Sequence, residues 1–123
     1  MNNIFHWVEI RTRDLNKSKK FYESLFGWKV SGTKNEDFAY WTMDTGSKIG
    51  SGMWRMPKEK PLGVLVYILV DDIAQTLKRV EELGGKITMP KTPSVEGCFM
   101  AFFTDPEGNP FGLWEEHREE KKS

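Results

Sequence analysis

From Ile4 to Thr12 the chain alternates between two sets of side chains and is bounded by polar residues, which is the period-two signature of a strand. The period then changes. Leu15, Ser18, Tyr22 and Leu25, with the adjacent Phe21 and Phe26, recur at helical spacing and predict one helical face. Asp14 ahead of them is a residue type that caps helix N-termini, and Gly27 behind them is one that ends helices. Short strands are expected around Trp28–Ser31, Phe38–Met43 and Ile49–Met56, with turn chemistry at Lys34–Asp37 and Asp44–Ser47. The same order then begins again. Leu62–Val70 reads as a strand and Asp72 as a cap, and Ile73, Leu77, Val80 and Gly84 mark a helical face that Gly84 and Gly85 close. Strands follow around Lys86–Met89, Gly97–Thr104 and Pro110–Glu116, the last two separated by the turn Asp105–Gly108.

The two halves are therefore a duplication. With an offset of 58 positions, Asp14-Leu15 falls on Asp72-Ile73 and Leu25-Phe26-Gly27 on Leu83-Gly84-Gly85. Further along, Phe38 to Asp44 falls on Phe99 to Asp105, and Gly52-Met53-Trp54 on Gly112-Leu113-Trp114. Four matches in one order predict two βαβββ modules, about residues 1–57 and 62–116, joined by the linker Lys58–Pro61.

The stretches that carry a wider likeness are DLNKSKKFYESLFGWKV (Asp14–Val30), VDDI (Val70–Ile73), ELGGKI (Glu82–Ile87) and FFTDPEGNPFGLWEE (Phe102–Glu116). With these the chain resembles the vicinal oxygen chelate superfamily, which includes glyoxalase I, extradiol dioxygenases, and fosfomycin and bleomycin resistance proteins. The resemblance covers nearly the whole chain. It implies an α+β fold in which both modules form a single domain over residues 1–123, with an eight-stranded curved sheet or incomplete barrel. It also implies a homodimer. It does not imply one activity, because the fold hosts many.

Strand alternation sorts the first strand into His6, Val8, Ile10 and Thr12 on one face and Trp7, Glu9 and Arg11 on the other. The tempting pair in HWVEIRTRD, His6 with Glu9, thus points to opposite faces and makes no metal site. The branched aliphatic set is expected beneath the helices. Trp7, Glu9, Leu65 and Tyr67 are expected on the opposite face, which in the resembling family lines a concave cavity holding metal and substrate. The family's first metal ligand lies seven residues before the helix-starting aspartate, which here is Trp7 and, in the second module, Leu65. The other ligand positions fall on Gly52 and Gly112. None of these four side chains can coordinate a divalent ion, so neither a metal nor another cofactor is expected.

Glu9 is then the candidate catalytic group. A carboxylate among aromatic side chains is desolvated, which raises its pKa and suits a general base or an acceptor for a ligand. The competing reading is structural: an ion pair with Arg11 or Arg55, or a hydrogen bond to Tyr67. Either way Glu9 needs a partner. Trp54 and Trp114, two residues beyond the paired glycines, share their face. The ligand-binding set expected from the sequence is Trp7, Glu9, Gly52, Trp54, Leu65, Tyr67, Gly112 and Trp114. These aromatics either line a pocket for a flat or apolar molecule or fill the space themselves.

Composition narrows the partners. The 123 residues carry 18 basic and 18 acidic side chains, so no basic excess invites nucleic acid or a membrane surface. Five Trp, eight Phe and three Tyr are a heavy aromatic load. Cys98 is the lone cysteine, which rules out an intramolecular disulfide, and no histidine lies near it in sequence. No signal peptide or membrane-length apolar run is visible, so a cytoplasmic location is expected. His6 reads as packing, and His117 as a tail residue with no role. The sequence thus points to a glyoxalase-like protein that binds a small molecule, an aromatic one among the candidates, in an aromatic-lined cavity without a metal. The alternatives are a metal-dependent glyoxalase-type lyase or dioxygenase, or a drug-sequestering resistance protein. The last would use an acidic groove, for which this neutral chain has no acidic excess.

Overall fold

The computed structural model describes residues 3–32 and 39–116. Ten elements follow one another: β1 (Ile4–Thr12), α1 (Leu15–Phe26), β2 (Lys29–Ser31), β3 (Tyr40–Asp44), β4 (Gly50–Arg55), β5 (Gly63–Leu69), α2 (Ile73–Glu82), β6 (Lys86–Pro93), β7 (Phe99–Thr104) and β8 (Pro110–Glu115). This is βαβββ twice, as the duplication requires. The strands form one mixed eight-stranded sheet of order β2-β3-β4-β1-β5-β8-β7-β6. In each module the first strand runs parallel to the last, β1 to β4 and β5 to β8, and the other pairs are antiparallel. The expected turn at Lys34–Asp37, and Phe38 with it, lie outside the described residues.

Both helices start for the reason the sequence suggests. The Asp14 carboxylate accepts the backbone N–H of Lys17 at 3.0 Å, and that of Asp72 accepts Gln75 at 3.1 Å. Each bond satisfies one of the orphan donors of a helix N-terminus. α1 ends where Gly27 turns left-handed at φ 76°, its N–H bonded to the Glu23 carbonyl. Carboxylates then tie helix to strand. Glu23 of α1 accepts the Val30 N–H and the Lys19 ammonium, both at 3.0 Å, and these bonds hold its pKa below the usual carboxylate value. Glu115 of β8 accepts the first N–H of α2, from Ile73, at 2.8 Å.

By its internal contacts the chain divides into two compact units. One is Trp7–Leu65. The other runs from Val66 onward and includes the residues up to His6. The core of the first is Leu15, Val30, Met43 and Met53, with Ile10, Tyr22, Trp28 and Trp41 packed against it. The core of the second is Val70, Ile73, Leu77, Ala101 and Leu113. Ile10 therefore lies on the helix side of β1, as the alternation requires. Three of the expected helix-face residues do not join a core: Phe21, Leu25 and Phe26 are all exposed. The buried part of α1 is centred on Leu15 and Tyr22, while Phe26 leaves the core to lie against the Trp28 ring, with centroids 4.9 Å apart.

The strand register also corrects the repeat by one residue. Thr42 pairs with Gly52 as Phe102 pairs with Gly112, and Trp41 with Met53 as Ala101 with Leu113. The third strands thus match with an offset of 60 positions, not the 61 that aligning Phe38 with Phe99 implied. β6 is longer than expected, running through Pro90 to Pro93 with register shifts between Ile87 and Thr92. As an edge strand it can carry prolines, because its outer N–H groups have no ladder to complete.

Candidate functional site

In the Trp7–Leu65 unit, one face of β1, β3 and β4 gathers Trp7, Glu9, Arg11, Tyr40, Gly52 and Trp54. Parallel pairing of β1 with β4 sets Trp7 opposite Gly50, Glu9 opposite Gly52 and Arg11 opposite Trp54. Glu9 is buried, with 2 % of its side chain exposed. Its Oε2 accepts a hydrogen bond from Arg11 Nε at 3.0 Å. The arginine side chain is 15 % exposed, and its guanidinium lies over the Trp54 ring, 5.5 Å from the centroid. Arg11, one of the partners that the sequence left open for Glu9, thus engages it, two residues along the same strand face.

Trp7 and Tyr40 complete this surface. The indole Nε1–H of Trp7 donates to the Tyr40 hydroxyl at 2.6 Å. The Trp7 ring lies over Gly50, and the Tyr40 ring over Gly52, each so close that a β-carbon on the glycine would collide with it. Tyr40 also tilts against Trp54, with centroids 6.3 Å apart. Tyr40 was not among the residues singled out from the sequence.

The Val66-onward unit repeats the glycine-and-ring arrangement with different chemistry. Tyr67 is buried and sits opposite Gly112, where an added β-carbon would meet its Cδ2 at 2.5 Å. Its ring makes edge contacts with Trp114 at 6.2 Å and with Phe102 at 6.0 Å. Leu69 pairs with Trp114 as Arg11 pairs with Trp54. Where the first module places Glu9 and Arg11, the second therefore places Tyr67 and Leu69. Leu65, the counterpart of Trp7, is buried. His6 is half-buried, and its Nε2 lies 3.5 Å from Glu116 Oε2. Cys98 is half-buried, and His117 lies outside the described residues.

The four positions that the resemblance marks for metal ligation do not fit a metal. Trp7 and Leu65 offer no donor, and the space beside Gly52 and Gly112 is taken by the Tyr40 and Tyr67 rings. Among the described residues, no three His, Cys, Asp or Glu side chains are grouped as a metal site elsewhere. No described helix is long and apolar enough to cross a membrane.

The family model of the Glyoxalase/Bleomycin resistance protein/Dioxygenase superfamily matches residues 4–113. A candidate glyoxylase of Mycobacterium bovis, CFP32, is 32% identical over 119 residues, covering 92% of this chain and 46% of its own. The anthracycline biosynthesis protein DnrV of Streptomyces peucetius is 28% identical, covering 88% of this chain and 45% of its own. The chain thus spans about half the length of these two relatives. A lactoylglutathione lyase of Haemophilus influenzae is 30% identical, covering 85% of this chain and 86% of its own. Among solved structures, methylmalonyl-CoA epimerase of Mycobacterium tuberculosis superposes with a TM-score of 0.63 at 16% identity, covering 95% of this chain and 90% of that one. At that identity the likeness is one of fold.

Proposed function

Starting from the chain's membership of the Glyoxalase/Bleomycin resistance protein/Dioxygenase superfamily, we propose that it binds a small, flat molecule on the aromatic face of its Trp7–Leu65 unit, with Glu9 and Arg11 as the polar anchor and without a metal ion. One observation carries this reading: a buried ion pair stands where the second module uses Tyr67 and Leu69. Buried ion pairs seldom stabilise a fold more than apolar residues of similar volume. The second module builds the same strand pairing with an uncharged tyrosine and a leucine, so the topology does not require the pair. Trp7, Tyr40 and Trp54 supply flat surfaces beside it. The anthracycline biosynthesis relative fits the same class, because anthracyclines are flat polycyclic molecules. To Leu65, and to Tyr67, Gly112 and Trp114 of the Val66-onward unit, we assign no polar contact with the ligand.

The test is equilibrium dialysis of the protein against a panel of flat aromatic compounds, polycyclic quinones included. At least one should bind, and Glu9→Gln should weaken it about tenfold, or ~1.4 kcal/mol. If Glu9 is only structural, the same change lowers stability and leaves the affinity of the folded protein unaltered. Should the bound compound be turned over, Glu9→Gln should abolish turnover if Glu9 is the base.

The 30% identity to a lactoylglutathione lyase supports a second reading, a metal-dependent lyase. The donor chemistry at Trp7, Gly52, Leu65 and Gly112 opposes it. Assaying lactoylglutathione with added zinc or nickel separates the two. We expect no turnover, and a stoichiometric ion lost together with activity on chelation would replace the first reading by the second.

A further inference from the structure

The core of the Trp7–Leu65 unit leaves one apolar face of α1 uncovered. Phe21, Leu25 and Phe26 are each more than half exposed, and the first two stand one helical turn apart. Ring contacts make them one group. Phe21 meets the edge of Tyr22 with centroids 5.1 Å apart, Tyr22 stacks on Trp28 at 5.4 Å, and Phe26 tilts against Trp28 at 4.9 Å. The fold does not require these rings. At the offset of 58 positions the second module has Arg79, Leu83 and Gly84 where the first has Phe21, Leu25 and Phe26, so only the leucine recurs. The surrounding charge is one-sided too. The whole chain is neutral, but Leu15–Lys29 holds four lysines against one glutamate. That glutamate, Glu23, is engaged by Lys19 and the Val30 N–H, and Asp14 ahead of the helix is engaged as its cap. Lys17, one turn before Phe21, is exposed, as are Lys20 and Lys29.

We propose that this face of α1 seats the protein on an anionic lipid surface, with the rings at the headgroup boundary and the lysines on the headgroups. The face shares no residue with the ligand site proposed above. Tryptophan, phenylalanine and leucine beside lysine are the side chains by which peripheral helices hold to such surfaces. Each lysine near an anionic surface strengthens binding about fivefold. A second copy of the chain fits the face less well. Pairing the face with itself sets lysine against lysine. Its roughly 300–400 Å² of exposed apolar surface is about half of the ~800 Å² per partner that a stable dimer buries. A folded protein partner fits less well for another reason. Anchor residues at such interfaces seat in pockets, whereas Phe21, Leu25 and Phe26 themselves protrude. A lipid surface takes in protruding rings without a preformed pocket.

Vesicle co-sedimentation of the full chain tests this, with phosphatidylcholine alone and with an equimolar mixture of phosphatidylcholine and phosphatidylglycerol. The wild type should bind the mixture about tenfold better or more, and added salt should weaken that binding. Phe21→Arg installs the second module's residue at an exposed helix position, so it should fold, as checked by circular dichroism. It adds positive charge yet removes a ring, and should weaken binding about fivefold; charge attraction alone predicts the opposite. Lys17→Gln, again the second module's residue, should weaken binding about fivefold. Lys78→Gln on α2, at the position matching Lys20, should change it by less than about twofold. Absent binding, equal binding to both vesicles, binding by Phe21→Arg as tight as the wild type's, or equal losses in Lys17→Gln and Lys78→Gln would overturn the proposal. A wild-type dimer that Phe21→Arg converts to a monomer in sedimentation velocity would overturn it in favour of a second copy. Soluble polyglutamate bound as tightly as the mixture, and weakened by Phe21→Arg, would overturn it in favour of an acidic protein.

Discussion

Gly112 gives the sharpest test of how tightly the ring clusters are built. A β-carbon at this position would lie 2.5 Å from Tyr67 Cδ2, 2.7 Å from Cε2 and 3.0 Å from Cγ. Carbon atoms in contact prefer about 3.5–4.0 Å, so the ring would have to retreat by roughly 1 Å. Tyr67 has little room to do so, being buried with Trp114 and Phe102 at its edges. Overpacking of this kind costs about 1–3 kcal/mol. Replacing glycine by alanine returns about 0.4–1 kcal/mol by restricting the unfolded chain. The φ angle of Gly112 is not positive, so alanine meets no backbone strain there. Gly112→Ala should therefore destabilise the protein by about 1–2 kcal/mol in urea denaturation, with an unchanged m-value. The decisive measurement is the same substitution in a Tyr67→Ala background. Removing the ring costs about 3–5 kcal/mol by itself, but it empties the space beside Gly112. There Gly112→Ala should change sign and stabilise by about 0.5 kcal/mol. An equal cost of Gly112→Ala in both backgrounds would refute the account of glycine as room for the ring.

Other consequences are simpler to check. Asp14→Ala and Asp72→Ala each remove an N-cap bond and should each cost about 1 kcal/mol, adding in the double variant because the caps serve separate helices. Tyr40→Phe keeps the ring over Gly52 but deletes the acceptor of the Trp7 indole, and should cost about 1 kcal/mol with a shift in tryptophan fluorescence. The Glu23 pKa is lowered in the folded state, chiefly by the Val30 N–H and then by Lys19, so its stabilising contribution is present above the unfolded value of about 4.3 and is lost as pH falls through the folded value. Glu23→Gln keeps an acceptor for Val30 but no longer titrates, so its stability should decline less steeply through that acid range than the wild type's. Asp105 behaves alike: its pKa is lowered by bonds from Asn109, then Glu107 and Gly108, and Asp105→Asn should flatten the same acid limb.

Much of this molecule was legible in its sequence because local rules and the repeat agreed. Asp14 and Asp72 cap, Gly27 terminates, and the period-two strands declare which residues share a face. Even one partner of Glu9 was legible, since Arg11 lies two residues away on the same face. The register of β3 against β4 was less legible. Phe38 and Phe99 align well as letters, yet it is the hydrogen-bonded pairing of Thr42 with Gly52 that sets the correspondence at 60. The role of Tyr40 was missed for the same reason. Its ring crosses diagonally to a glycine that is not its paired neighbour, and no sequence spacing encodes a diagonal. Leu25 failed differently: helical period places it near Leu15 and Tyr22, but the sheet beneath α1 does not cover it.

The rings over Gly52 and Gly112 also shape the routes open to this lineage. An ion-binding side chain at either position would meet Tyr40 or Tyr67 at once, so the ring has to shift or be lost along with the substitution. Losing the ring forfeits stability before any donor can offset it. In each module a donor at the glycine position is thus coupled to a change in the ring. The duplication repeats this coupling, so donors at both positions would need two independent changes, one in each half of the chain.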